Sequence, residues 1–479
     1  MKTKSEVHEA IEDHALEAVP GSDRKSWLSL SWNTVGIVTT LVALYVGALL
    51  TFVAGFRLGL LGGAIVASVG GLLAWGVGHV AFSSGLASSM VGRFYGFGIK
   101  GSAIISSVFG FMMIGFLAAE NVLLFEGLVL FFDAQHSLMN QILIYGALVT
   151  SWILLTMYGF EAVSRVSSIM LIGFLAMLFY LLATIFSKTG QSFADAMAFP
   201  TQMPADVLAS LGISSQTDKL VFCINVLAGS GGALALLAAD LGRYARRSSD
   251  IGIAVGLGCS TLGIFMVAMG GIIMYASLPL IVGHAMEIDG VSQVEAIRQA
   301  VASPERVAAA FILIGGLVGA VLILAAQSKA QVLNAYSSSL SLSNFFDAVI
   351  GWRPGRFFFV IVANGLSVIL LFGDLLAWFK SFLEILGILT TCVATIICCD
   401  YYFVRPITKR RDLSVHGVDR VNLSGVSTLI VAFLLSYFVL DGVVPVKALS
   451  AILISAVCYP LLRIYLLKPG SAKGVRLKA

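Results

Sequence analysis

The sequence has little charge: 12% of its 479 residues are Asp, Glu, Lys or Arg, where a soluble domain carries roughly a quarter. With 58% hydrophobic residues and a mean hydropathy of +0.95, this excludes an ordinary water-soluble enzyme or binding module and puts the chain in lipid. Cysteines are sparse and unpaired. Cys223, Cys259, Cys392, Cys398, Cys399 and Cys458 all fall in apolar stretches without C-x-x-C spacing or clustered His, so neither a disulfide framework nor a metal site is expected. No small-residue cleavage pattern follows the first apolar run, which makes the acidic opening segment, from Glu6 to Glu17, a cytoplasmic tail rather than a signal peptide. No G-x-S-x-G, H-E-x-x-H or pair of intramembrane aspartates occurs, so an intramembrane enzyme is not expected.

What the chain does have is length of apolar run. A helix needs about 20 largely apolar residues to cross the hydrocarbon core, and cutting at charges, Pro and polar clusters gives twelve such spans. They are Leu28–Phe52, Leu60–Phe82, Ala103–Phe131, Ile142–Phe160, Ser164–Phe186, Leu220–Ala239, Ile251–Tyr275, Val307–Ser339, Phe357–Phe372, Leu375–Cys399, Leu423–Leu440 and Val444–Leu467. With both termini inside, most of the 30 Lys and Arg residues become cytoplasmic. Asp195, Asp206, Asp218, Glu287, Asp289 and Glu295 become external, the distribution that the positive-inside rule describes. A multi-pass protein of the cytoplasmic membrane is the expectation. Its partners are a small solute and bilayer lipid, not nucleic acid; a monomer suffices, and nothing fixes the oligomeric state.

Charges far from a span's ends are expensive and mark function by default. Glu120 sits mid-way along the third span beside Asn121, one turn from Phe116; Lys329 lies in the eighth, two residues before Gln331. His79 and Glu126 lie closer to span ends, where water relieves the cost. Tyr95, Tyr244 and Tyr401 fit interfacial anchoring. In the sixth span, Gly229, Ser230, Gly231 and Gly232 are consecutive. Such a run either lets the backbone unwind and bind a ligand or lets helices pack closely; unwinding at Gly229 and Gly232, with a gentler break in the first span at Gly36, is the expectation. A plainer alternative stays open, in which Glu120 and Lys329 merely neutralise each other.

Several patterns agree in order and spacing with one family. Gly92 to Ser102 contains Arg-Phe and then Gly-Ile-Lys-Gly-Ser; the sixth span ends in Ala239-Asp-Leu-Gly-Arg-Tyr244; the eighth runs into the serine-rich Asn334 to Asn344; the tenth closes on Asp400-Tyr-Tyr. From Arg24 to the end of the tenth span the chain resembles the nucleobase:cation symporter-1 family of purine/cytosine permeases and allantoin- and hydantoin-type transporters. The resemblance implies an all-α integral membrane protein of the leucine-transporter type, with ten core helices in two inverted five-helix repeats and two peripheral helices. In this sequence the repeats would be 27–187 and 188–404, between a cytoplasmic tail at 1–26 and a peripheral region at 405–479.

By the same resemblance, Phe116 would stack on a planar ring, Glu120 would bind ring nitrogens, and Ser230, Gly231 and Gln331 would complete the substrate contacts, with Asn121 beside them. Two departures change the expectation. Gly231 stands where relatives have a second aromatic, and Lys329 with Ala330 stands where sodium-using relatives have a hydroxyl pair. An ammonium offers donors and no acceptor, and its pKa falls readily on burial. A symporter coupled to H⁺ in preference to Na⁺, through Glu120 or Lys329, is therefore expected, without any other cofactor. The alternative solute is a cationic amidine or guanidine held by the Glu120 carboxylate; a channel or a receptor is the alternative mechanism.

Overall fold

The computed structural model describes residues 19, 24–86, 88–158, 160–288, 290–352, 354–373, 375–409 and 418–467. The tail at 1–18 and most of the basic loop at 410–417 lie outside them. Among the described residues, nine helices are long and apolar enough to cross a membrane, and three shorter apolar helices accompany them. The first span is built from two pieces, α1 (Trp27–Val38) and α2 (Leu41–Ala54). Spans two to five are α3 (Phe56–Ser84), α4 (Ser102–Phe131), α5 (Leu138–Tyr158) and α6 (Phe160–Thr189).

Span six is α7 (Gln216–Gly242), started by a reciprocal cap in which Ser215 Oγ accepts from Asp218 N at 3.1 Å and Asp218 Oδ2 accepts from Ser215 N at 2.8 Å. Span seven opens with a wide-turn π segment at Gly252–Cys259 and continues as α8 (Ser260–Ile288), through Pro279. That run carries the helix beyond Tyr275, the expected end of the span, to Ile288. A short connecting helix, α9 (Gln293–Ala302), precedes the 44-residue α10 (Val307–Ile350), the eighth span. α10 bends at Gly316, whose φ of 50° and ψ of −132° belong to glycine alone. Spans nine to twelve centre on α11 (Arg356–Phe372), α12 (Phe379–Cys399), α13 (Leu423–Leu434) and α14 (Lys447–Leu461).

The packing has a clear inside and outside. α7 lies between α3 and α12, α4 lies along α10, and α8 lies along α2. The lipid side is apolar: Leu72, Leu257, Ile369 and Phe438 are each about two-thirds exposed. Such a surface is tolerable only in hydrocarbon. Peripheral α14 is tied to the core by ions. Lys447 Nζ lies 2.8 Å from the buried Glu384 carboxylate on α12, and Asn225 on α7 donates to Pro445 O at 2.8 Å and accepts from Lys447 N at 2.9 Å.

Candidate functional site

The break in the first span does not fall at Gly36. α1 stays helical through Gly36 to Val38, and the bend occupies Thr39 and Thr40. The side chains of 33–37 lie outside the described residues. The reason for the position is capping. Thr40 is extended (φ −119°, ψ 162°), its Oγ1 accepts from Ala43 N at 3.2 Å, and its carbonyl accepts from Leu44 N at 3.3 Å. Glycine at 36 supplies freedom but no acceptor.

Two further donors at the start of α2 are met from other helices. Glu120 on α4, 2% exposed, accepts from Val42 N through Oε1 at 3.4 Å. Gln327 on α10, with its amide turned to satisfy both neighbours, accepts from Leu41 N at 2.8 Å and donates to Glu120 Oε2 at 2.8 Å. Thus all the N–H groups that open α2 have partners, and the Glu120 carboxyl group lies at the positive end of the half-helix.

The expected unwinding of the sixth span is overturned. α7 is helical without interruption from Gln216 to Gly242, through Gly229 and Gly232. These glycines are spaces for neighbours. A Cβ on Gly229 would lie 2.7 Å from Leu383 O, one on Gly231 2.9 Å from Val66 Cγ1, and one on Gly232 would fall onto the Thr390 side chain. The small residues bring α3 and α12 close to α7, the packing role they have in membrane bundles.

A cavity of about 190 Å³ opens beside the break. Val38, Thr40, Val42 and Val46 from span one line it, with Val66 and Gly70 from α3 and Met113, Phe116 and Glu120 from α4. Leu227, Ser230, Gly231 and Leu234 from α7, Ser260 and Val267 from α8, and Ala330 and Asn334 from α10 close it. The wall is mainly aliphatic, with a few polar groups. Phe116 presents a ring that meets Phe382 of α12 edge-on, centroids 5.9 Å apart at 89°. Phe382 fits because Gly115 has no Cβ to block its ring. A wider groove of about 630 Å³ between α3 and the π segment of span seven shares Ala67, Gly71, Ser260 and Ile264 with the cavity.

Of the residues singled out in the sequence, Phe116, Glu120, Ser230 and Gly231 meet around one cavity. Asn121 and Gln331 do not line it. Gln331 Nε2 donates to Asn121 Oδ1 at 2.8 Å and to Leu117 O at 3.2 Å, and Trp152 Nε1 donates to Asn121 Oδ1 at 2.9 Å, so the two amides bind α4, α5 and α10 to one another. The Lys329 side chain lies outside the described residues. His79 bonds Ser248 Oγ at 2.6 Å and Glu126 faces His136 at 3.9 Å, both away from the cavity. The residues missed are Thr40, Gln327, Ser260 and Asn334. Gln327, Gln331 and Asn334 recur at i, i+4 and i+7, a polar stripe on an apolar helix that marks one face toward the bundle interior.

A family model for permeases for cytosine/purines, uracil, thiamine and allantoin matches residues 31–451. The chain belongs to this permease family. Among solved structures, it is similar to the inward-facing conformation of Mhp1, with 16% identity, a TM-score of 0.68, and coverage of 92% of this chain and 91% of that one. It is also similar to Mhp1, described as a nucleobase-cation-symport-1 family transporter, in a closed conformation with bromovinylhydantoin bound: 16% identity, TM-score 0.62, coverage 92% and 93%. A Na⁺-coupled sialic acid symporter in a substrate-bound outward-open state shares 13% identity, with a TM-score of 0.58 and coverage of 94% and 92%. A search of curated proteins gives no match. The fold of this permease is the leucine-transporter type, and its family is one of membrane transporters for small molecules rather than enzymes.

Proposed function

We propose that this permease is a cation-coupled symporter that imports a small, nitrogen-rich ring compound, a nucleobase or related N-heterocycle, across the cytoplasmic membrane by alternating access. Its two inverted repeats would be 27–187 and 188–404, with both termini cytoplasmic. The observation that carries the reading is the placement of Glu120 between a polar-flecked, largely aliphatic cavity and the break in span one. In that position a carboxylate senses the cavity on one side and holds the hinge on the other. Phe116 offers the ring face, and Ser230, with Asn334 across the cavity, offers hydroxyl and amide groups for ring nitrogens and carbonyls.

The proton is the proposed coupling ion. A protonated Glu120 loses its attraction for the positive end of α2 and one of its acceptor positions, which weakens the hold on the half-helix. Gain and loss of that proton would bias the hinge between two arrangements, the kind of two-state element that coupling requires. Lys329 follows as a second candidate because, by the family resemblance, it and Ala330 match the positions where sodium-using relatives have a hydroxyl pair, and an ammonium supplies no oxygen donor. No observation favours a guanidinium or amidinium solute, since Val42 N and the Gln327 amide already engage the Glu120 oxygens.

Counterflow in proteoliposomes with radiolabelled cytosine, adenine, uracil and hydantoin tests the function. Saturable counterflow of at least one is expected, and a receptor or channel would show none. Under an imposed pH gradient, uptake should exceed that under a Na⁺ gradient, and Glu120→Gln should abolish the pH response. Full, pH-responsive accumulation by that variant would remove Glu120 from the coupling step.

A further inference from the structure

The loop between spans six and seven gathers basic residues against the start of span one. Lys25 N donates to Tyr244 O at 2.6 Å, Arg246 N donates to Lys25 O at 3.0 Å, and Arg246 Nε donates to Arg24 O at 3.0 Å, which brings Lys25, Arg246 and Arg247 together at one end of the bundle. All three are exposed. The carboxylates nearest to the two arginines in the chain have other partners: Asp240 accepts from Ser88 N and Ser88 Oγ, at 2.8 and 3.0 Å, and Asp250 accepts from Arg247 N at 3.0 Å. A basic loop alone is what any cytoplasmic end of a membrane protein carries. Here it stands at the mouth of the groove of about 630 Å³, whose lining on span seven begins at Ser249, two residues after Arg247.

The groove suits an apolar chain. Leu72 and Trp75 on α3 and Ile253 and Leu257 on the π segment line it, and all four are exposed. Its floor is backbone, because Gly71 and Gly256 let α3 and span seven touch: a Cβ on Gly71 would lie 2.6 Å from Gly256 O. Ser68 Oγ, on the groove wall, donates to Ala64 O of its own helix at 2.8 Å and needs nothing from an occupant. From Trp75 to Ala67 the groove follows α3 for about 12 Å, most of one leaflet's half of the roughly 30 Å hydrocarbon core. Left empty, it would forfeit dispersion contacts along its walls, and water would find few polar partners there. We propose that an anionic phospholipid binds here, its headgroup against Arg246 and Arg247 and one acyl chain laid in the groove as far as Ala67. There the chain meets Gly71, Ser260 and Ile264, which also line the solute cavity, so a lipid tail backs the thin wall between that cavity and the bilayer. The proposal requires neither a particular solute nor a direction of transport.

Native mass spectrometry of the full-length protein, titrated with lipid in detergent, tests the proposal. Palmitoyl-oleoyl phosphatidylglycerol should bind about tenfold more tightly than the phosphatidylcholine with the same chains. Glycerol 3-phosphate, which has the anionic headgroup chemistry without a chain, should not displace it even in large excess. The double variant Arg246→Gln, Arg247→Gln should lose most of the preference for phosphatidylglycerol. Ser68→Phe, which sets a ring in the groove, should weaken both lipids by about tenfold and keep the preference. Equal binding of the two lipids by wild type overturns the proposal without need of any variant. So does displacement by glycerol 3-phosphate, which would mark a site for a water-soluble anion. Undiminished lipid binding by Ser68→Phe puts the chain outside the groove, and an intact preference in the double arginine variant puts the headgroup elsewhere; either result overturns the proposal. Should neither variant fold, the wild-type comparisons decide it.

Discussion

Span one breaks between Val38 and Leu41, where it has two threonines and no glycine, while span six, with Gly229, Ser230, Gly231 and Gly232 in sequence, runs straight through. The contrast teaches what a break in a buried helix requires. Interrupting a helix leaves N–H and C=O groups without partners, and in a bilayer no water replaces them at low cost. Backbone freedom is therefore not the limiting ingredient; acceptors and donors are. Span one has them, in Thr40 and in the side chains of Glu120 and Gln327 brought from two other helices. Span six has Val66, the Leu383 backbone and Thr390, whose hydroxyl already donates to Leu386 O, pressed against its glycines, so staying helical is the way to keep its own hydrogen bonds.

The most damaging way to break this contrast is to fill the glycine face. Gly232→Leu would drive a branched side chain into Thr390 of α12, where even the first carbon has no room. Overpacking of that kind costs about 1–3 kcal/mol per site and more where backbone must move; here the expected outcome is loss of a monodisperse, folded protein on size-exclusion chromatography. Ser230→Ala, two residues away but facing the cavity, should change the thermal midpoint little, since it touches no packed neighbour of that kind. If Gly232→Leu folds as well as Ser230→Ala, the glycines are not there for packing, and a different state of span six deserves to be sought.

The spans were legible because hydrophobicity is a one-dimensional property. The ninth, Phe357 to Phe372, differs from α11 by one residue, and the sixth, Leu220 to Ala239, sits inside α7. The sequence pattern ends the seventh span at Tyr275, ahead of the interruption at Pro279, whereas the helix continues to Ile288. A proline removes one hydrogen bond, and neighbouring helices in a bundle absorb that defect. Site residues were legible when their chemistry clashed with lipid, as for Glu120, or repeated a family pattern, as for Phe116 and Ser230. Direction was harder. Asn121 follows Glu120 by one residue, which on a helix is about 100° of rotation and the difference between the cavity and the packing seam. Thr40 and Gln327 were not found, because a cap on a broken helix is defined by which distant side chain arrives there, and spacing along the chain does not record it.

The break itself can be weakened by removing its borrowed partner. Gln327→Leu keeps the volume but strips Leu41 N of its acceptor and Glu120 Oε2 of its donor. A buried group left without a partner costs about 1–3 kcal/mol, and intramembrane hydrogen bonds fall toward the lower part of that range. A drop in the thermal unfolding midpoint is expected, smaller than the loss from Gly232→Leu and accompanied by weaker pH response of uptake, because the carboxylate is no longer held. An unaltered midpoint and pH response would show that span one keeps its break without help from α10.

Thr40→Ala gives the smallest effect and the sharpest localisation. The substitution removes the acceptor of Ala43 N but leaves the carbonyl that accepts from Leu44 N, so α2 should start at the same residue. An N-cap is worth about 1 kcal/mol, and Thr40 lines the cavity, where water can move in to bond the freed N–H group; the global midpoint should therefore shift less than in Gln327→Leu. Hydrogen exchange separates the local from the global consequence. Ala43 should exchange faster while amides deep in α7, such as Leu236, keep their protection, because span six draws nothing from the break. Thr40→Ser, which retains the hydroxyl, should restore slow exchange at Ala43. If the exchange of α7 rises with that of α2, the two spans are energetically one unit, and the straight sixth span depends on the broken first one after all.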